Sequence, residues 1–224
     1  EDLLMKTYGV ELPDIKQIDS VCHISHPTVD KAARSILKRY HPVLLQEYTP
    51  VFVEGDGNCL YRAISLGVFG SEIYHDIVRL KVAIELVCNP SLYYDNDDRR
   101  EYESLLEHAC TLGAGGAGGM PNIAAASAVL EHPIHSYCPP TSKAYFLSEP
   151  LSRVVYGRGV RKTLQPAVTV MWSMMCNPRK QEGFRPNHFA LLLSSKQKEE
   201  PTIDLTVHEE TKRTKEPNVR QARV

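Results

Sequence analysis

One cysteine stands in a setting that favours nucleophilic chemistry. Residues 55–64 read Gly-Asp-Gly-Asn-Cys-Leu-Tyr-Arg-Ala-Ile, and the apolar spacing after Cys59 predicts a helix that begins there. The positive end of a helix dipole favours the thiolate form of a cysteine in the first turn. Glycines before it let the backbone turn tightly and point amides at a developing oxyanion. The alternative is a surface turn in front of a buried structural cysteine, which is a common arrangement.

The same residues closely resemble the catalytic signature of the ovarian-tumour (OTU) deubiquitinases, in which Asp-Gly-Asn-Cys is followed by an aromatic residue, Arg and Ala. That family also has a histidine at the start of a late strand, and His188 in the run 187–193 fits this position. The resemblance extends loosely over residues 40–195. Met171 and Trp172, followed by a loop and then His188-Phe189-Ala190, are similar to the vertnin-type branch.

The resemblance implies an α+β, papain-like OTU cysteine protease fold with a central, mostly antiparallel β-sheet flanked by helices. It implies a thiol isopeptidase in which Cys59 attacks the carbonyl and His188 first accepts the thiol proton, then protonates the leaving lysine amine. Asp56, with the backbone of Gly57 and Asn58, would shape the oxyanion site. Trp172 is expected in the core beside the site, where it could wall the groove for a Gly-Gly tail.

One departure concerns the group that orients the histidine. OTU enzymes commonly carry Asp or Asn two residues after it, and this chain has Ala190 there. A substitute is expected from Asn187, from Glu54 or from an acid among the first 50 residues, and the sequence leaves these alternatives open.

The elements that must position these residues are mostly helical at first and extended later, which favours an α+β organisation. Helices are predicted from Pro27 to Tyr40, from Cys59, after an N-cap at Ser71, over residues 99–112, and from Pro121 to Leu130. Strands are predicted at residues 134–137, 153–156, 167–172 and 188–193. We expect one domain over residues 1–196, with residues 1–40 as an N-terminal helical extension, and a polar tail over residues 197–224.

Composition limits the classes of function. The chain has 224 residues, 42% hydrophobic and 24% charged, with a formal net charge of −1. It lacks the basic excess of a nucleic-acid binder and an apolar run long enough to cross a membrane. Six dispersed cysteines without a CxxC pair predict a reducing, intracellular setting, cytoplasmic or nuclear.

The expected partner is ubiquitin or polyubiquitin, and no cofactor or metal is expected. Cys22, His23 and His26 lack the further ligands that a zinc site requires. The run Ile203-Asp204-Leu205-Thr206, followed by acids, resembles a SUMO-interacting motif that adds a strand to a partner's sheet. The alternatives in function are a catalytically silent ubiquitin-binding module and a protease for another ubiquitin-like modifier.

Overall fold

The computed structural model describes residues 24, 27–94, 118–140, 145–160, 167–175 and 184–195. The predicted helix at 99–112, the polar tail with its SUMO-like run, and the Cys22, His23 and His26 group lie outside the described residues.

Six α-helices occur in the described part of the chain. They are α1 (Lys31–Tyr40), α2 (Leu44–Glu47), α3 (Cys59–Phe69), α4 (His75–Cys88), α5 (Met120–Val129) and α6 (Tyr145–Leu151). Short 3-10 helices at Glu72–Tyr74 and Pro90–Leu92 precede and follow α4. The helix predicted to begin at Cys59 begins there, and the one predicted from Pro121 begins one residue earlier.

Five strands in the described ranges form one sheet. They are β1 (Tyr48–Val51), β2 (Ile134–Tyr137), β3 (Arg153–Val155), β4 (Val168–Ser173) and β5 (His188–Ser194), in the spatial order β1-β5-β4-β2-β3. Only the β2–β4 pair is parallel in this sheet. The four predicted late strands are therefore observed with end shifts of one residue, and the predicted α+β class with a mostly antiparallel sheet is confirmed.

Side chains alternate between the two faces of the sheet along each strand, so each face has its own set of apolar residues. Helices cover both faces. On one face, α3 packs against alternate residues of β4 and β5, including Val170, Phe189 and Leu191. Helix α5 covers β2 and β3 on this face, and α4 packs against α3 and α5. On the other face, α1 packs against Met171, Ala190 and Leu192.

Helix α3 lies very close to the sheet. A Cβ atom added at Gly67 would lie 2.5 Å from Val168 Cγ1 and 2.9 Å from Leu191 Cδ1. Glycine at this position therefore lets the helix that carries Cys59 approach β4 and β5. The helix ends at Gly70, whose φ of 69° is left-handed and suits glycine.

The first helix begins later than the sequence predicted. Its first residue is Lys31 and not Pro27. Asp30 is the N-cap, and its carboxylate accepts a hydrogen bond from Ala33 N at 2.8 Å. This is the usual way in which an aspartate satisfies a free amide at a helix N-terminus. Residues 28–30 instead pair with the end of β1, through Asp30 N to Pro50 O and Phe52 N to Thr28 O.

No helix in the described ranges is both long enough and apolar enough to cross a membrane.

Candidate active site

Cys59 is the first residue of α3 and is buried, with 4% of its surface exposed. Its thiol is approached by the backbone N–H groups of Phe189, Leu60 and Cys59 itself. Two of these amides belong to the first turn of the helix, where N–H groups have no partner within the helix. The third belongs to β5, so the thiol lies where the N-terminus of α3 meets the start of that strand.

Two opposing effects act on this thiol. Burial raises the pKa of Cys59 above its ordinary value, and the nearby Asp56 carboxylate raises it further. The three backbone N–H groups lower the pKa because they favour the thiolate, but burial has the larger effect. In the free protein, Cys59 is therefore a neutral thiol held among donors that would stabilise a negative charge.

The turn before Cys59 is held by the side chain of Asp56. This carboxylate accepts from Asn58 N at 2.9 Å, from Asn58 Nδ2 at 3.3 Å and from Arg62 Nη2 at 2.6 Å. The Arg62 guanidinium keeps the pKa of Asp56 far below its usual range. Gly57 has a left-handed φ of 85°, which glycine adopts without strain. Asp56 thus shapes the loop, while the Asn58 amide is already engaged and the Cys59 and Leu60 amides face the sulfur.

His188 is the first residue of β5 and directly precedes Phe189, whose amide is directed at the Cys59 thiol. The imidazole is buried, and burial lowers the pKa of His188 below its ordinary value, although the nearby carboxylate of Asp30 acts in the opposite direction. Among the described residues, its Nδ1 has no hydrogen-bond partner. The structure therefore brings the two predicted catalytic residues to the same end of the sheet.

Asp30 is the acidic side chain beside this histidine. Its Oδ2 atom lies 3.8 Å from His188 Nε2, and both side chains are about 95% buried, with 5% and 3% exposed. Its other oxygen, Oδ1, caps α1. Ala190, at the position where the family commonly carries the orienting group, is fully buried in the cluster that contains α1. Asp30, at the N-cap of that helix, is an acid from the first 50 residues that the structure brings beside His188.

Sequence reasoning predicted an acid from the first 50 residues only as one of three alternatives. The signal for Asp30 was its place just before a helical apolar pattern, which is typical of an N-cap. The sequence does not predict that the second carboxylate oxygen of Asp30 lies near His188, because this proximity arises from the packing of α1 on the sheet.

The other predicted site residues lie near the site in different roles. Asn187 is exposed, and its Oδ1 accepts from Met175 N at 3.1 Å, which closes the base of the loop between β4 and β5. Glu54 is exposed and lines a cleft that also contains His188 and Asp30. Trp172 packs on Phe189 with ring centroids 4.6 Å apart and donates to Ser136 Oγ at 2.9 Å. Its indole is thus held against the sheet, and a role for it in a substrate groove stays a prediction.

Comparisons with known proteins bear on this geometry. A family model described as the OTU domain of vertnin matches residues 50–112, which include the whole turn before Cys59 and helices α3 and α4. The predicted OTU resemblance is confirmed. The matched segment therefore includes the predicted nucleophile Cys59 and the loop that precedes it. No curated protein sequence matches the chain significantly.

Several solved structures are similar to this chain. The OTUD1 OTU domain is 18% identical with a TM-score of 0.48, over 72% of this chain and 96% of that domain. The Hazara virus OTU, solved bound to ubiquitin, is 18% identical with a TM-score of 0.43, over 67% of this chain and 84% of that one. The Taggert virus OTU protease is 14% identical with a TM-score of 0.44, over 68% and 83%.

Proposed function

We propose that the protein is a cysteine deubiquitinase, which hydrolyses isopeptide bonds at the C-terminal glycine of ubiquitin through an acyl-enzyme on Cys59. The observation that carries the proposal is the convergence of three side chains from distant segments. The Cys59 thiol lies at a helix N-terminus beside the start of β5, His188 begins that strand, and the Asp30 carboxylate is 3.8 Å from His188. The match of residues 50–112 to a vertnin OTU domain supports the assignment.

The protonation states indicate how the first step proceeds. Burial raises the pKa of Cys59 and lowers that of His188, so the resting pair is a neutral thiol and a neutral imidazole. A carboxylate beside Nε2 favours the tautomer with the proton on Nε2, which leaves Nδ1 as the basic nitrogen. His188 Nδ1 would thus accept the Cys59 proton as the sulfur attacks the isopeptide carbonyl carbon.

The remaining steps use the same groups. The carbonyl oxygen becomes an oxyanion, which backbone amides at the start of α3 would stabilise. Imidazolium at His188 then gives its proton to the lysine nitrogen as the C–N bond breaks, leaving a thioester on Cys59. Water, deprotonated by His188, attacks the thioester and releases the ubiquitin carboxylate and the thiol.

A cleft of about 600 Å³ beside His188 has the character that a leaving lysine requires. Its walls include the exposed apolar side chains of Phe52 and Met175, the carboxylate of Glu54 and one cation, Lys31. A four-carbon stem would pack on the apolar walls, and the Glu54 carboxylate would attract the leaving amine once solvent has protonated it. The described cleft includes His188 but not Cys59, as expected of the side that receives the leaving amine and not the acyl group.

A catalytically silent ubiquitin-binding module is the second candidate, and specific observations favour it. The distance of 3.8 Å between Asp30 and His188 is longer than a hydrogen bond, and Cys59 has only 4% of its surface exposed. A site that binds a ubiquitin tail without cleaving it would tolerate both features.

The experiment uses ubiquitin that carries an electrophile at its C-terminus, together with the same electrophile on SUMO and on other ubiquitin-like modifiers. Wild type should form a covalent adduct with ubiquitin, and Cys59→Ala and His188→Gln should not. Cys88→Ser, which changes an exposed cysteine on α4, should react like wild type. Binding of ubiquitin without an adduct would favour the silent module, and an adduct only with another modifier would refute ubiquitin as the substrate. Cys59 is identified as the modified residue by mass spectrometry.

A further inference from the structure

One buried arginine contacts the turn before Cys59 from behind. Arg79 lies on α4 with 6% of its surface exposed. Its Nη1 donates to Gly57 O at 3.1 Å and to Asn58 Oδ1 at 2.6 Å, while its guanidinium carbon lies 5.3 Å from the centre of the Tyr61 ring. A buried guanidinium that donates to a loop carbonyl and to the next side chain fixes the loop in two places.

The peptide between Gly57 and Asn58 is consequently held from both sides. Its carbonyl oxygen accepts from Arg79, and its N–H donates to the Asp56 carboxylate. The left-handed φ at Gly57 makes the chain reverse at this point, so the direction of the next amides depends on the orientation of this peptide. The next amides are those of Cys59 and Leu60, which face the sulfur.

The same arginine is linked to a third element through Tyr61. The Tyr61 hydroxyl accepts from Asn122 Nδ2 at 3.0 Å, and Asn122 Oδ1 accepts from Gly119 N at 2.8 Å at the N-terminus of α5. Gly118, just before that helix, is so close to Leu60 that an added Cβ would overlap its side chain. Helix α4 thus contacts the loop directly, and α5 contacts the first turn of α3, which follows the loop, through Tyr61 and Leu60.

We propose that Arg79 is a positioning residue, which holds the Gly57–Asn58 peptide so that the amides at the start of α3 are aimed at the oxyanion before substrate arrives. This inference rests on the proposed function, since an oxyanion forms only if Cys59 attacks a carbonyl. Arg79 touches the loop and not the reacting atoms. Loss of these two hydrogen bonds to the loop should therefore misplace the donors without removing the proposed nucleophile or base.

The test compares Arg79→Met and Arg79→Lys with wild type and with Arg158→Met. Arg158 is a suitable control because it too contacts α4, through an ion pair with Glu85 at 3.1 Å, and it makes no described contact with the loop. Lysine keeps the charge of Arg79, but its ammonium stands on a flexible stem and lacks the planar guanidinium that lies over the Tyr61 ring. All variants are assayed below their melting temperatures with a fluorogenic ubiquitin C-terminal amide.

We expect Arg79→Met to lower kcat by ~100-fold with little change in KM, as misplacement of catalytic groups by about 1 Å does in enzymes. Arg79→Lys should fall between Arg79→Met and wild type, and Arg158→Met should keep the wild-type kcat. A purely structural role would lower the melting temperature while leaving kcat of the folded fraction unchanged, and that result would overturn the proposal.

Amide hydrogen exchange over residues 55–59 tests the inference independently of any substrate. Arg79→Met should exchange faster there than wild type, and Arg158→Met should not. If Arg79→Met does not fold, Arg79→Lys is used in its place, with the same expected direction. Unchanged exchange would overturn the proposed role of Arg79. Faster exchange in a protein whose wild type cleaves no ubiquitin substrate would support the bracing role and refute the proposed function alone.

Discussion

The charge of Asp30 can be removed while its helix cap is kept, because the two carboxylate oxygens have different partners. Oδ1 accepts from Ala33 N at 2.8 Å, and Oδ2 lies 3.8 Å from His188 Nε2. Asparagine and serine both cap helices about as well as aspartate, so Asp30→Asn and Asp30→Ser should cost only a few tenths of a kcal/mol in the free energy of unfolding. Asp30→Ala should cost about 1 kcal/mol more, since it removes the cap as well.

The effect on catalysis follows from the distance. Two unit charges 3.8 Å apart interact by about 4 kcal/mol at an effective dielectric constant of about 20, which is an upper bound for the stabilisation of imidazolium at His188. Since 1.36 kcal/mol corresponds to a tenfold change in rate, the bound is roughly 1000-fold. The distance is longer than a hydrogen bond, so we expect Asp30→Asn and Asp30→Ser to lower kcat by ~10- to ~1000-fold.

The assay is the hydrolysis of a fluorogenic ubiquitin C-terminal amide, with the free energy of unfolding measured by urea denaturation on the same samples. Asp76→Asn is a matched control, because Asp76 is an exposed acid in the first turn of α4, with 76% of its side chain accessible. Its substitution should change neither quantity appreciably. Loss of kcat by less than about threefold in both Asp30→Asn and Asp30→Ser would refute a role for Asp30 in orienting His188.

Other expected results follow from the same geometry. Ala190→Asp should destabilise the protein by at least about 3 kcal/mol, because it buries an unpaired carboxylate in the apolar cluster between α1 and the sheet. In an Asp30→Ala background the same substitution should restore part of kcat, and no recovery there would mean that an acid on β5 cannot reach the histidine. Burial raises the pKa of Cys59 above its ordinary value of 9.0. The rate of its alkylation by iodoacetamide, measured by mass spectrometry, should therefore keep rising above pH 9, because the thiolate is the reactive form. A rate that reaches a plateau at lower pH would contradict a neutral resting thiol. Gly67→Ala should lower the free energy of unfolding, measured by urea denaturation, by about 1–3 kcal/mol. Gly55→Ala should lower it by less, because the atoms that its Cβ would meet belong to the flexible end of the Met175 side chain. Equal losses would argue against close packing of α3 on the sheet.

Much of the local structure around Cys59, the proposed nucleophile, could be predicted from the sequence, because it depends on neighbours along the chain. The glycines, Asp56 and Asn58 specify a tight turn, and the apolar spacing that follows specifies a helix beginning at Cys59. The late strands are also local in origin, since short runs of β-prone residues end at turn residues. These features were predicted with shifts of one residue at most. Two other helix starts were not, since α1 begins after a cap at Asp30, and the helix predicted after Ser71 is a 3-10 helix until α4 begins at His75.

The groups that complete the site were decided by the tertiary structure. Asp30 and His188 are far apart in sequence, and they meet because α1 packs on the face of the sheet that carries Ala190. Arg79 meets the loop before Cys59 because α4 packs beside α3, and nothing in its local sequence distinguishes it from a solvent-exposed arginine. The placement of the proposed nucleophile at a helix N-terminus is a property of ten consecutive residues. The positions of the proposed base, of the acid beside it and of Arg79 depend on burial and distance, which only the packed chain defines.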